Sequence, residues 1–199
     1  ANGGTEILPA LKMALKGSAP ASHLRQIIFL TDGQVGNEDE LFETIRTQLG
    51  TSRLFTIGIG SAPNSHFMRK AAEFGRGTFT HIGSTSEVKA QMDAIFRKLE
   101  RPALTDLRIE GVDGQVEMFP ARIPDLYEGE PVVAVLKGTS LPDSITIQGM
   151  IGASPWTTSI TLKNSAPREG LSVYWARQKI AALMDQQRYG RDEAATRQA

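Results

Sequence analysis

The 199-residue sequence contains no cysteine, which excludes disulfide frameworks, zinc–thiolate sites and thiol catalysis. It also lacks an excess of either charge, because 22 Lys and Arg balance 22 Asp and Glu. Zero net charge removes the general attraction to nucleic acids and anionic membranes, so we expect no nucleic-acid partner. No apolar run approaches the roughly 20 residues that span a bilayer, and no signal peptide opens the chain. With no initiator Met, we interpret the chain as a fragment.

Helical and strand patterns alternate in the first half of the chain. Apolar spacing predicts helices over residues 6–16, from Asn37 to Leu49, from Ser65 to Phe74 and over about 86–99, with Asn37 and Ser65 as N-caps. Short apolar runs at 26–31 and 54–59 are typical of strands buried on both faces, and a third strand is predicted at 78–82. This order predicts right-handed crossovers and a parallel sheet.

The pattern changes near residue 101. Short candidate strands follow at 105–110, 115–119, 132–137, 145–151 and 156–162, separated by turn signals that indicate a small antiparallel unit. A helix is predicted over 171–188, with an apolar stripe of Val173, Ala176, Ile180, Leu183 and Met184. We therefore predict three segments: an α/β domain at 1–101, a β-rich domain at 102–170, and a helix with a polar tail at 171–199.

Two loops of the first half carry candidate metal ligands. Asp32 follows the first strand, and ligands of open parallel sheets bind at the carboxyl ends of strands. Thr5 lies in a glycine loop, after Gly3 and Gly4, just before the first helix. A carboxylate and a hydroxyl are suitable ligands for a hard cation. Thr5 could equally be a helix cap, and Asp32 could form a turn with Gly33.

These motifs resemble the C-terminal half of a von Willebrand factor A domain. The residues that carry the resemblance are the Gly-Gly-Thr loop at 3–5, Phe29-Leu30-Thr31-Asp32-Gly33 and Phe55-Thr56-Ile57-Gly58-Ile59-Gly60. The resemblance implies a Rossmann-like parallel sheet and a metal-ion-dependent adhesion site, to which Thr5 and Asp32 would contribute. The family usually binds Mg²⁺ there and leaves one coordination position for a carboxylate of a protein ligand.

The adhesion-site motif Asp-x-Ser-x-Ser occurs nowhere in the sequence. The chain would thus hold two of five adhesion-site side chains, whereas a hard cation prefers six or more oxygen ligands. We therefore predict that Thr5 and Asp32 form a partial site, which binds Mg²⁺ weakly or not at all in this fragment.

The second half is similar to inter-alpha-trypsin inhibitor heavy chain-like proteins, and in particular to bacterial sortase-target members of that group. Residues Pro124 to Pro131 and the helix containing Tyr174-Trp175-Ala176-Arg177 carry this similarity. It implies a non-enzymatic adhesion module at a bacterial cell surface, without catalytic residues.

Two other functions remain open. The domain could be a structural scaffold with an inactive metal site, or Asp32 could accept a phosphoryl group, as in receiver-like folds. The second idea requires further carboxylates and a lysine at strand ends, which Gly58-Ile59-Gly60 and His81-Ile82-Gly83 do not supply. The dinucleotide fingerprint fails because Pro63 occupies its third glycine position.

The strand at 26–31 should lie at the edge of the sheet if its other neighbour is missing. It is apolar and uncharged, and such edges are templates for pairing with another chain. We therefore predict that the fragment forms a homodimer through this strand, edge to edge or by swapping, or that the strand is otherwise covered.

Overall fold

The structure is a computed structural model that describes residues 7–17, 19–20, 23–32, 36–60, 64–112, 116–162 and 168–189. The chain divides into two compact units, Ala1–Arg101 and Pro102–Ala199. The division of the second unit into a β-rich domain and a separate helical segment stays a prediction.

The first unit is an α/β layer structure built on a parallel sheet. Its elements are α1 (Ile7–Leu15), β1 (Gln26–Thr31), α2 (Glu38–Gln48), β2 (Arg53–Ile59), α3 (Ser65–Phe74), β3 (Arg76–Ile82) and α4 (Val88–Leu99). The strand order is β1-β2-β3, with both pairings parallel. The predicted α/β fold with a parallel sheet is therefore confirmed.

Burial distinguishes the central strand from its neighbours. Residues 53–58 of β2 are all buried, as predicted, because β2 has a strand on each side. The prediction that β1 is buried on both faces is wrong: none of its residues is buried, and Leu30 is 49% exposed. Within the described residues β1 pairs with β2 alone, so it is an edge strand and lacks cover on its outer side.

The core of this unit lies on both faces of β2. One face packs Leu54 against α2 and α3, whose Phe42 and Phe67 are in tilted contact at 5.1 Å between ring centroids. On α4, Ile95 packs with Ile57 and Ile82 in a separate buried cluster. Helices on the two faces of β2 thus hold the strands by burying apolar side chains, as the apolar stripes of the helices predict.

Two predicted helix caps differ from the structure. Asn37 adopts a left-handed conformation (φ 55°), and its side chain makes no capping hydrogen bond. Asparagine tolerates this backbone region, so its role is to turn the chain into α2. Ser65 is the first residue of α3, and the cap is Asn64, whose Oδ1 accepts a hydrogen bond from Phe67 N at 3.1 Å.

The second unit contains antiparallel strands and a long helix. Its elements are β4 (Leu104–Glu110), β5 (Glu117–Phe119), β6 (Val135–Lys137), β7 (Ser144–Ile151), β8 (Ser154–Thr161) and α5 (Leu171–Tyr189). Strands β4-β7-β8 form one antiparallel sheet, and β5 pairs with β6 in another. Leu104, Leu107 and Ile123 form its buried cluster, with Trp156 and Ile147 packed against them.

Candidate functional site

The carboxyl ends of the three parallel strands define the candidate site. Because β1, β2 and β3 run in the same direction, Thr31, Ile59 and Ile82 end at one edge of the sheet. Asp32 directly follows β1 and is exposed. It forms no hydrogen bond or ion pair with the residues that the structure describes, so its carboxylate is open to solvent and to a ligand at this edge.

The second predicted ligand, Thr5, lies outside the described residues. The pairing of Thr5 with Asp32 therefore stays a prediction. Among the described residues, no group of three or more His, Asp or Glu side chains could hold a metal ion. Asp32 fits the chemistry of a Mg²⁺ ligand, but no described group of three or more such side chains forms around it, and the cation prefers at least six oxygens.

A hydrogen bond between two loops stabilises the same edge, and the sequence reasoning missed it. Asn64 Nδ2 donates to Glu38 Oε1, which joins the start of α2 to the residue before α3. Asn64 thus uses both ends of its amide, since its oxygen caps α3. An Asn directly before a helical apolar pattern is a recognised N-cap signal, but its partner 26 residues away is not readable from local spacing.

Histidine and serine side chains also form hydrogen bonds at this edge. His81 Nε2 lies 2.9 Å from the carbonyl oxygen of Gly60, so the ring bridges the ends of β3 and β2. Ser84 Oγ and Ser86 Oγ are 2.8 Å apart in the turn before α4. The first contact joins two strands and the second lies within one turn, so both are structural.

An apolar cavity in the first unit lies apart from these polar groups. Its lining is made of side chains from α1, β1, α2, β2 and α3: Ile7, Leu11, Phe29, Leu41, Ile45, Leu54, Phe67 and Ala71. With no polar lining residue, it can neither orient a polar ligand nor hold a stable water. It is a packing gap between the sheet and its helices.

Comparison with known proteins agrees with this geometry. Residues 1–81, which include Thr5 and Asp32, match the family profile of the von Willebrand factor type A domain. Two von Willebrand factor A domain-containing proteins of Dictyostelium discoideum are each 30% identical over 156 residues, covering 77% of this chain and 19% and 17% of theirs. The aligned region is longer than the first unit, so it includes part of the second.

A solved structure supports the fold. A von Willebrand factor type A protein from Catenulispora acidiphila superposes with a TM-score of 0.55 and 17% identity, over 94% of this chain and 55% of that chain. The first unit therefore has the α/β fold of a von Willebrand factor A-like domain, with a parallel sheet and flanking helices. The chain spans about a fifth of the length of the curated relatives that it matches. In the described residues, no helix has the length and hydropathy that a membrane crossing needs.

Proposed function

We propose that the chain is part of a non-enzymatic protein-binding module whose complete adhesion site holds Mg²⁺ with the help of Asp32. The observation that carries the proposal is the exposed carboxylate of Asp32 at the carboxyl end of β1, within a segment that matches a von Willebrand factor A profile. Bound Mg²⁺ would bridge to a carboxylate of the protein ligand. Asp32 would hold the cation directly or through water, and Thr5 would contribute its hydroxyl.

The other ligands of this site would come from an Asp-x-Ser-x-Ser loop elsewhere in the parent protein. We also propose that the parent is a bacterial cell-surface protein, on the sequence resemblance of its second half to inter-alpha-trypsin inhibitor heavy chain-like proteins. Binding of a protein ligand by the parent, captured with Mg²⁺ and compared with capture in EDTA, tests this function. We expect Mg²⁺-dependent capture that Asp32→Ala abolishes. Equal capture in EDTA would contradict the proposal.

The metal site can be tested separately in this chain with Mn²⁺ as a paramagnetic probe. At millimolar Mn²⁺ we expect amide NMR signals near Asp32 and Asn64 to broaden first, because both lie at the carboxyl edge. Asp32→Asn should remove this local broadening. The matched control is Asp143→Asn, an exposed carboxylate of the second unit, which should leave the broadening near Asp32 unchanged. Broadening that persists in Asp32→Asn would show that Asp32 does not hold the metal ion.

A structural scaffold without an active metal site is the second candidate. The observation that favours it is the lack, among the described residues, of any group of three or more His, Asp or Glu side chains that could hold a metal ion. This candidate predicts that the parent protein captures its partners equally well in Mg²⁺ and in EDTA. It also predicts that Asp32→Ala changes neither capture nor stability.

Pairing through β1 is a further part of the proposal. The strand carries no charged residue, and Leu30 is 49% exposed beside an edge that no described strand covers. Such an edge can add a strand from a second copy. We expect Leu30→Lys to suppress this association in light scattering at high concentration, because an inserted charge disfavours strand addition. Unchanged association in Leu30→Lys would exclude the β1 edge.

A further inference from the structure

Helix α5 packs on the β5–β6 hairpin of its own unit through aromatic and charged contacts. Trp175 lies against Phe119 with 5.8 Å between the ring centroids, and Lys137 Nζ lies 4.2 Å from the centroid of the indole. Lys179 Nζ lies 5.0 Å from the same centroid and binds Glu117 Oε1 of β5 at 2.8 Å. Ring packing, cation–π contacts and an ion pair thus hold one face of α5 on the hairpin.

The apolar stripe predicted for α5 is not the face that packs on the hairpin. At about 100° per residue, Val173, Ile180 and Met184 lie roughly opposite Trp175, and all three are more than half exposed. The half-buried residues share the face of Trp175: Ala176, Gln178, Lys179, Ala182 and Asp185. None of residues 171–187 is buried, so α5 lacks the buried apolar face that stabilises most helices in proteins.

The apolar core of the second unit contains no residue of α5. Its buried cluster consists of Leu104, Leu107 and Ile123, and the half-buried side chains packed against that cluster come from strands and loops before the helix. One of them is Met118 of β5, so the hairpin belongs to the core while the helix does not. The sheet and the hairpin therefore keep their apolar packing when α5 moves away.

The docked indole has no partner for its N–H group. Nε1 of Trp175 is buried, and no described residue accepts a hydrogen bond from it. A buried tryptophan N–H usually has an acceptor, because leaving water without one costs free energy. When α5 leaves the hairpin, this group regains hydrogen bonds to water. Docking therefore carries a cost that partly offsets the contacts of the ring.

The ion pair between α5 and the hairpin is weak and sensitive to salt. The side chains of Lys179 and Glu117 are 36% and 50% exposed, so water and dissolved ions screen their attraction. We propose that α5 is a latch, which opens and closes on the hairpin while the β4-β7-β8 sheet stays folded, and that rising ionic strength favours the open state.

Hydrogen exchange of the whole chain in low concentrations of urea tests the latch. Amides of α5 around Trp175 should exchange about tenfold or more faster than those of β7. Urea should leave the α5 rates unchanged and raise the β7 rates, because local opening exposes little surface. Raising NaCl from about 20 mM to about 500 mM should speed exchange in α5 about twofold to fivefold and leave β7 unchanged. Equal rates and equal urea dependence in the two elements, or no response of α5 to salt, would overturn the proposal.

Three variants test the contacts that hold the latch closed. Lys179→Met removes the ion pair and one cation–π contact, so it should speed exchange in α5 about threefold or more and reduce the response to salt. The matched control Arg177→Met removes an exposed cation on the opposite side of the same helix and should leave the rates unchanged. Replacing Trp175 by 3-benzothienylalanine puts sulfur in place of the N–H group and should slow exchange about threefold.

Equal effects of Lys179→Met and Arg177→Met on exchange in α5 would overturn the proposal. Exchange that does not slow when Trp175 carries the benzothienyl ring would also overturn it, because docking would then have no cost at the N–H group. Circular dichroism of each variant checks that α5 remains helical.

Discussion

Polar side chains have different roles at the two edges of the parallel sheet. At the amino edge, arginines beside or at the start of each strand bind backbone carbonyls: Arg25 before β1, Arg53 in β2 and Arg76 in β3. At the carboxyl edge, Asp32 is exposed and forms no bond with described residues. The arginines of the amino edge thus help to hold the fold, whereas Asp32 at the carboxyl edge makes no described bond that does so.

The largest expected difference between the edges is the loss of stability on replacing a glycine by alanine near each end of β3. A Cβ at Gly77, near the amino end of β3, would lie 2.2 Å from the carbonyl oxygen of Leu54, so β2 and β3 would have to separate. At Gly83, past the carboxyl end, the nearest atom would be 3.8 Å away. We expect Gly77→Ala to cost about 3 kcal/mol of unfolding free energy and Gly83→Ala less than about 0.5 kcal/mol, as measured by urea denaturation. Equal losses of unfolding free energy in the two variants would contradict the contrast between the edges.

Arg53 gives the next largest effect, because its side chain is buried at 2% exposure. Its NH1 donates to Thr51 O at 2.8 Å. Arg53→Met keeps the length of the side chain but leaves that carbonyl without this donor, so we expect a loss of about 2 kcal/mol in the same denaturation experiment. The control Arg46→Met removes a surface pair with Glu43 and should cost less than about 0.5 kcal/mol. An unchanged free energy of unfolding in Arg53→Met would show that the amino edge tolerates the loss of this arginine.

Arg25 should have a smaller and more local effect. Its guanidinium closes the end of α1 by donating to Ala14 O at 2.6 Å and Lys16 O at 3.0 Å. Arg25→Ala should cost about 1 kcal/mol and speed hydrogen exchange in α1, since the last carbonyls of the helix lose their donors. Arg25→Lys should recover only part of this, because an ammonium lacks the planar fork. Exchange that rises equally in all helices would exclude a local role.

The smallest expected effect on stability is that of Asp32. Since its carboxylate has no partner among the described residues, Asp32→Asn should change the free energy of unfolding by less than about 0.5 kcal/mol. The same variant should remove the Mn²⁺ broadening described above. A loss of more than about 1 kcal/mol would instead assign Asp32 a structural role and remove the contrast between the edges.

Local sequence patterns predicted most of the regular structure. The strand predicted at 26–31 is β1 without change, and those predicted at 54–59 and 145–151 each begin one residue earlier as β2 and β7. The helix predicted at 171–188 is α5 with one added residue. Apolar periodicity and turn residues act over a few positions, so they are readable from the chain itself.

The candidate site was predicted less completely. Asp32 was singled out by its place after a strand; the structure shows it exposed at the carboxyl edge, and its role as a metal ligand stays a prediction. The Glu38–Asn64 and His81–Gly60 bonds were missed, because each joins residues more than 20 positions apart. Arg76 was missed for the same reason, since it binds Ser52 O 24 positions away. Arg25 and Arg53 bind carbonyls 11 and two positions away, and apolar periodicity does not reveal these contacts either.

The sequence by itself determined the order of elements, the parallel character of the first sheet and the position of Asp32 after β1. Periodicity and strand–helix alternation leave few other arrangements of these segments. Only the tertiary structure decided which strand is the buried centre, which face of α5 packs, and which edge of the sheet uses its charges for structure. These depend on neighbours distant in sequence, and burial is a property of those neighbours rather than of the segment itself.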